Sequence, residues 1–482
     1  MPKRVAVIDL GSNSMRLAVF ERTSRYGFFI VAEHKIKVRL GEGAYENGGF
    51  IQNNAMQKCL NAFGEFKKII KSYGANRVLC VGTSALRDAP NSNEFINLVK
   101  KTHGFNIRRI DGDTEAHLGG IAALNLLSDF KSGLCVDIGG GSTELARIQN
   151  KKVVEKISLN LGTVRLKELF FDKDNIKKAK EFVDEALNQI PNSFKSDNLI
   201  AIGGSLRAIS NSIMSLQKYP LKIVHNFSYE LKDYEEFISK IINAKQSNLG
   251  KFGIKKERFD TIREGAFIFK KVAEKIEAKS VITSGVGVRE GVFLTSILGK
   301  NARLPENFNV SLKSLQDRFS VKNRSNLAKF AKEIFDKLSF WHGLDEKYLS
   351  ILINSAKLCT LGEKLGFYAM HNNSAYFVLN ALNYGFSHEQ KVLIACVIKL
   401  HGKNEFDDEF AKFKNLLPHK SVVIWLSFML EVAKILDNLA FEKLKFEFSN
   451  HALKIHGTNG SLMVQESIKK LQKPVEFELI LV

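Results

Sequence analysis

Two stretches of this chain match each other position for position, and that repeat restricts the fold more than any other feature. Val7-Ile8-Asp9-Leu10-Gly11-Ser12-Asn13-Ser14-Met15-Arg16-Leu17-Ala18 aligns with Cys135-Val136-Asp137-Ile138-Gly139-Gly140-Gly141-Ser142-Thr143-Glu144-Leu145-Ala146. Asp9 falls on Asp137, Gly11 on Gly139, Ser14 on Ser142 and Arg16 on Glu144. Each copy reads as an apolar strand ending in a carboxylate, a tight turn, a hydroxyl and a second strand. A second pair recurs in the same order: Val81-Gly82-Thr83-Ser84-Ala85-Leu86-Arg87 and Ile202-Gly203-Gly204-Ser205-Leu206-Arg207. Two matched pairs in one order imply two duplicated halves, each offering a strand–turn–strand to a shared ligand.

The chemistry of the turns says what that ligand is. Consecutive glycines carry no Cβ, so backbone N–H groups can come close to an anion. A plain hairpin with a glycine turn is the simpler reading, but three glycines followed by Ser-Thr-Glu argue against it. Carboxylates beside a phosphate-binding turn repel the phosphate unless a cation lies between them, so Asp137 and Glu144 suggest a divalent metal. Two such turns facing across a cleft suit phosphoryl transfer, which is mostly positioning and charge stabilisation. Arg16, Arg87 and Arg289 each lie in or just beyond a turn, where a guanidinium can grip phosphate oxygens. For any one of them taken alone a surface salt bridge is the stronger reading; the recurrence of all three at turns favours phosphate.

Asp111-Gly112-Asp113-Thr114-Glu115-Ala116-His117 sits where a strand gives way to a helix. Asp113 as a helix cap accounts for this acidic cluster by itself. The alternative is Glu115 reaching the cleft as general base for an attacking water. The residues alone leave both open.

The length of 482 residues allows about three domains. Strands alternating with helical spacing through residue 300 predict an α/β architecture, divided as 1–128 and 129–300. Asn301 to Asn309 is linker-like, and Ser311 to Asp437 is nearly all helical in pattern. The helical domain is expected over 301–440, and a small α+β region, with a few strands and one helix, over 441–482. Hydrophobic residues at 45% and charged residues at 25% are those of a soluble globular chain. No signal peptide is expected, because Met1-Pro2-Lys3-Arg4 runs straight into the first motif, and no apolar run reaches membrane-spanning length. Five scattered cysteines, none in a Cys-x-x-Cys pair, point to a reducing cytoplasm. The formal charge of +20 favours anionic ligands, though the lysines sit largely in mixed, solvated helix patterns.

Six ordered motifs resemble the exopolyphosphatase/guanosine pentaphosphate phosphatase (Ppx/GppA) family. They are Asp9-Leu10-Gly11-Ser12-Asn13-Ser14; Gly82-Thr83-Ser84-Ala85-Leu86-Arg87 with Asn91; Glu115-Ala116; Asp137-Ile138-Gly139-Gly140-Gly141-Ser142-Thr143-Glu144; Gly162-Thr163-Val164-Arg165; and Gly287-Val288-Arg289-Glu290-Gly291. The resemblance covers essentially the first 300 residues and implies the duplicated actin-like, ribonuclease H-like ATPase superfold. It implies Glu115 as the base that activates water, with Glu144 also in the catalytic set. Asp137 and Glu144, with Asp9, would hold Mg²⁺ or another divalent cation. The phosphate-binding groups would be Gly11, Ser12, Asn13, Ser14, Arg16, Thr83, Arg87, Gly139, Gly140, Gly141, Ser142, Thr143 and Arg289. Gly203, Gly204 and Ser205 would meet the nucleotide end. His117 stands where the family usually has Arg, and Ser205 where it has Thr; neither change removes a proposed catalytic group.

The helical region also resembles the HD-like domain of longer members, through Ser374-Ala375-Tyr376 and Gly385-Phe386-Ser387-His388-Glu389-Gln390. Cys359-Thr360 stands where those members often carry His-Glu, leaving His371 and His401, which read as structural. The domain is therefore expected to have no hydrolase activity of its own and to shape a substrate channel or a dimer interface.

The leading expectation is a cytoplasmic, metal-dependent phosphohydrolase, a homodimer, that releases terminal phosphate from inorganic polyphosphate, guanosine pentaphosphate or both. Neither a membrane nor nucleic acid is an expected partner. A basic channel continued into the C-terminal domains favours the polymer; a guanine-sized pocket near Gly203-Gly204-Ser205 favours the nucleotide. An ATP-dependent kinase or ATPase of the same superfold is the alternative that fold alone leaves standing. A non-enzymatic sensor is a third, and it predicts degraded carboxylates, whereas Asp9, Glu115, Asp137 and Glu144 are all present.

Overall fold

The structure, a computed structural model, describes residues 3–299, 302–320, 326–403, 405, 408–438, 444–449 and 451–482. Asn301, at the head of the expected linker, and Lys443, where the last alternating stretch begins, lie outside the described residues. The chain divides into two compact units, Met1–Phe308 and Asn309–Val482.

The first unit holds two sheets. Strands β1 Arg4–Leu10, β2 Met15–Arg22, β3 Phe28–Ile36, β4 Arg77–Gly82 and β5 Ile107–Arg109 form one sheet, in the order β3-β2-β1-β4-β5. Strands β6 Ser132–Ile138, β7 Thr143–Gln149, β8 Lys152–Leu159, β9 Asn198–Ile202, β10 Ser228–Glu230 and β11 Ser280–Thr283 form the other, in the order β10-β11-β9-β6-β7-β8. Read from the opposite edge, β8-β7-β6-β9-β11 repeats the order of the first sheet, with β10 added outside. The hairpins repeat as well: Asp9 lies opposite Arg16 in one register and Asp137 opposite Glu144 in the other. Each turn closes by the same bond, Gly11 N–H to Ser14 O at 3.2 Å and Gly139 N–H to Ser142 O at 2.9 Å. This is the duplicated, actin-like α/β arrangement.

The central strands are almost continuously apolar (Val5-Ala6-Val7-Ile8 in β1, Leu199-Ile200-Ala201-Ile202 in β9) and buried, as parallel strands covered on both faces must be. Separate apolar cores lie around each sheet, one holding Ile8, Leu17, Phe63 and Phe66, the other Val136, Leu199, Ile213 and Phe269.

One helix joins the two lobes. Gly112–Leu126 follows β5 of the first sheet, yet its Ala116 and Ala123 pack with Cys135, Ala146, Ile200 and Ile202 of the second. On another side it meets the helix Val288–Leu298 so closely that a methyl on Gly291 would stand 2.1 Å from the Leu118 carbonyl oxygen. Backbone cannot yield there as a flexible side-chain end would. Gly291→Ala is therefore expected to lower stability by about 1–3 kcal/mol, despite the better helix propensity of alanine, read as a shift in the urea midpoint with unchanged slope.

The second unit is helical from Val310–Phe319 to Lys420–Asp437 and ends in strands β12 Lys445–Ser449, β13 Ala452–His456 and β14 Glu478–Leu481, with the helix Leu462–Lys469 before the last. His371 and His401 come together here, their rings stacked 4.7 Å apart. His401 Nδ1 lies 2.8 Å from Glu431 Oε2, and the Lys434 ammonium lies 3.2 Å from that same nitrogen. Where the family resemblance places His-Glu, Cys359 is buried and its carbonyl accepts from Ser374 Oγ at 2.7 Å. No helix among the described residues is long and apolar enough to cross a membrane.

Candidate active site

The two turns meet at a cleft between the sheets. Asp9, Gly11, Ser12, Asn13, Ser14 and Arg16 line it from the first lobe, joined by Thr83 and Glu115. Asp137, Gly139, Gly140, Gly141 and Ser142 line it from the second, joined by Gly203, Gly204, Ser205 and Arg289. The approach is close: a Cβ on Gly140 would stand 2.9 Å from the Ser12 Cβ and 3.2 Å from the Asn13 nitrogen. Gly203 has φ of +97°, and a Cβ there would stand 2.6 Å from Asp137 Oδ1, so this position requires glycine twice over.

The turns are built to present donors. The Gly139 and Gly140 carbonyls accept from the N–H groups of Thr163 (3.0 Å) and Val164 (2.7 Å), at the start of the helix Thr163–Leu169. The Ser12 and Asn13 carbonyls accept from Gly41 and Arg39 N–H, both at 2.9 Å. With their carbonyls committed behind, the N–H groups of Ser12, Asn13 and Ser14, and those of Gly140, Gly141 and Ser142, have no backbone acceptor among the described residues. Amide donors facing a cleft in this way suit an anion, whose oxygens can accept from them.

Glu115 projects from the first turn of its helix and is 9% exposed. The helix is capped by Asp111, whose carboxylate accepts from Thr114 N–H at 2.6 Å, not by Asp113 as the sequence reading allowed. The N-cap precedes the first helical residue, and Asp113 lies one position inside. Capping therefore accounts for Asp111 and leaves Glu115 to the cleft.

Arg87 holds Glu115, its Nη1 3.1 Å from Glu115 Oε2, while Nη2 reaches Ser142 Oγ at 3.3 Å and Glu144 Oε1 at 3.8 Å. Burial lifts the Glu115 carboxyl well above the ordinary range, and the neighbouring Glu144 charge lifts it further, with Arg87 pulling against both. Glu144 is raised too, first by burial.

Three expected site residues do not line this cleft. Arg87 acts from behind Glu115 and Ser142. Thr143 is fully buried with its hydroxyl donated to the Leu161 carbonyl, because successive strand residues point to opposite faces and Thr143 takes the inner one. Glu144 is 3% exposed and accepts from Ser158 Oγ at 2.8 Å, its register partner on β8. Among the described residues, no group of three His, Cys, Asp or Glu side chains converges as a metal cage, so Asp9, Asp137 and Glu144 form no triad. Asp9 and Asp137 remain as a cleft-lining pair. Burial raises both carboxyls, that of Asp137 to about 6, against the pull of nearby arginines. Mg²⁺ is commonly held by one or two carboxylates plus substrate phosphates, and that donor set fits this pair.

Sequence reasoning missed two arginines of the cleft, Arg207 and Arg258. Arg207 occupies the place in the second repeat that Arg87 has in the first, so the duplication itself carried the signal. Its guanidinium donates to Gly285 O at 2.6 Å, and burial, with Arg16 and Arg289 nearby, lowers its pKa to about 10. Arg258 sits in the short 3₁₀ turn Lys256–Arg258, where no motif marks it.

Comparison with known proteins agrees with this geometry. Residues 18–300, more than half of the chain, match the model of the Ppx/GppA phosphatase family, and residues 309–465 match Ppx/GppA phosphatase, domain III. A bifunctional 3-dehydroquinate synthase/phosphatase of Fusobacterium nucleatum is 30% identical over 314 residues, 61% of this chain; the chain spans 47% of that relative's length. The crystal structure of an Aquifex aeolicus Ppx/GppA family member is 28% identical with a TM-score of 0.52, covering 64% of this chain and 100% of that one. An exopolyphosphatase of Cytophaga hutchinsonii shares the fold at 23% identity and a TM-score of 0.57, covering 62% of this chain and 100% of that one. The chain belongs to the Ppx/GppA phosphatase family.

Proposed function

We propose that this phosphatase cleaves a terminal phosphoanhydride by direct attack of water, and that guanosine pentaphosphate is its preferred substrate over inorganic polyphosphate. The observation that carries the hydrolytic reading is Glu115, a buried carboxylate of raised pKa held by Arg87 beside two turns of unpaired N–H donors. The turns bind and orient the terminal phosphate. Glu115, ionised, takes the proton of the attacking water, and a raised pKa makes it a stronger base near neutral pH. Arg87 and Glu144 set that pKa from behind. Mg²⁺, held by Asp9 and Asp137, would supply charge neutralisation to the phosphate oxygens when bound. Arg16, Arg207 and Arg289 continue the positive wall along the phosphate chain.

The preference for the nucleotide rests on a second pocket of about 590 Å³ that shares Gly204, Arg207 and Arg258 with the cleft. Its wall mixes Met214, Tyr219 and Ile254 with Lys218 and Lys222. That volume is within the range of small-molecule sites, roughly 300–1,000 Å³, and apolar groups there serve a base better than a phosphate polymer. Arg258→Met is expected to lower kcat/KM for guanosine pentaphosphate by about 10-fold or more, the scale of one charge-assisted contact. Its effect on long-chain polyphosphate is expected to be smaller. Equal losses on both substrates, or faster turnover of polyphosphate by the unaltered protein, contradict the preference.

A further inference from the structure

The two phosphate turns are braced differently, and the difference singles out one side chain. In the first lobe the carbonyls behind the turn are taken up by backbone N–H groups, those of Gly41 and Arg39. In the second, backbone N–H groups take up Gly139 and Gly140, but the Gly141 carbonyl accepts from Nε of Arg165 at 3.0 Å. A peptide unit is planar, so holding the Gly141 carbonyl also aims the Ser142 N–H. Ser142 lines the cleft.

The same guanidinium crosses to the other lobe. Its Nη2 lies 2.8 Å from Asp88 Oδ2, and its carbon stands 4.4 Å above the Tyr45 ring. Asp88 directly follows Arg87, the residue that holds Glu115, and also lies 3.7 Å from its Nε. Tyr45 reaches the same place: a Cβ on Gly141 would stand 2.3 Å from its hydroxyl and 2.3 Å from that of Ser84. One side chain therefore touches the peptide that aims a phosphate donor, the segment that carries the base's partner, and a ring from the facing lobe. A surface ion pair needs none of the other contacts, and the Arg165 side chain is only 16% exposed.

We infer that Arg165 is a positioning residue, coupling approach of the two lobes to the orientation of the Gly141–Ser142 peptide. Arg165 is not among the residues that line the cleft. A planar guanidinium can make the three contacts together, whereas a lysine ammonium on a flexible stem cannot. The inference rests on the hydrolytic reading above, and the experiment separates the two. Phosphate release from guanosine pentaphosphate is measured for the unaltered full chain, Arg165→Ala, Arg165→Lys, Asp88→Ala and the Asp88→Ala/Arg165→Ala double variant, with thermal unfolding of each.

If the unaltered chain releases no phosphate, the hydrolytic reading fails. If it does, Arg165→Ala is expected to lower kcat by about 10- to 100-fold, the scale of an ångström-level misplacement, with little change in KM. Arg165→Lys recovers little of this, and millimolar guanidinium added to Arg165→Ala recovers part. Asp88→Ala lowers kcat alone but adds nothing in the Arg165→Ala background. An unchanged kcat, a rise in KM alone, or independent losses from Asp88 and Arg165 overturns the inference. So does a loss of kcat that follows unfolding and is not recovered by guanidinium.

Discussion

Glu115→Gln is expected to fold normally, bind substrate with a KM close to that of the unaltered protein, and turn over about 10²- to 10⁴-fold more slowly. The amide keeps the size of the carboxyl and can still accept from Arg87, now 3.1 Å from Glu115 Oε2, so the shape of the cleft survives. What it loses is the ability to take a proton. A loss in kcat with KM preserved marks an interaction made in the transition state only. Residual activity is expected, because the Ser12–Ser14 and Gly140–Ser142 donors and the cleft arginines remain in place. The unaltered protein is expected to show an acid limb in kcat/KM above the ordinary carboxylate range, since burial and Glu144 both raise Glu115. Glu115→Gln is expected to lose that limb. A variant with full kcat removes Glu115 from the chemistry.

The second large effect comes from the two groups behind Glu115, which act on it with opposite signs. Glu144 stabilises the protonated form, so Glu144→Gln is expected to move the acid limb to lower pH. Arg87 stabilises the ionised form, so Arg87→Met is expected to move it to higher pH. Removing either charge is expected to move the limb measurably, and the two variants in opposite directions. The Arg87 variant is expected to lose rate on the acid side of its profile and to regain part of it as the pH rises. The Glu144 variant gains activity on the acid side. These paired profiles also decide what Glu144 does. Placed behind the cleft wall with Ser158 Oγ at 2.8 Å, it tunes a base; acting as a metal ligand, it would change the cation concentration needed for activity and leave the limb in place.

The outline of this site is legible in the chain because its parts are local. A strand, a glycine turn and a hydroxyl lie within a dozen residues, and duplication doubles the signal, so Asp9, Asp137 and both turns are found from sequence. Glu115 stands out once its helix is capped by Asp111 and not by Asp113. Thr143 shows what motif reading loses. Grouped with Ser142 and Glu144 as one acidic-hydroxyl run, it is sent to the opposite face by strand alternation, which a two-residue period foretells. Glu144 points the same way as Asp137 across the hairpin, but Ser158 on the next strand claims its carboxylate, and no local pattern reports that partner. Arg207 was readable as the second copy of Arg87. Arg258 and the Arg165–Asp88 contact were not, because each depends on segments distant in sequence meeting across the cleft, 77 residues apart in the second case. The pairing of His371 with His401, within the second unit, likewise joins residues that no local pattern links.

The central claim is that water attacks the terminal phosphorus directly in this cleft. Turnover of guanosine pentaphosphate in ¹⁸O-labelled water, with Mg²⁺ and no other acceptor, tests it most directly through mass analysis of both products. The predicted result is free orthophosphate carrying one ¹⁸O, with a shortened nucleotide that carries none. Label in the nucleotide, or no phosphate released until a second acceptor is supplied, contradicts the account.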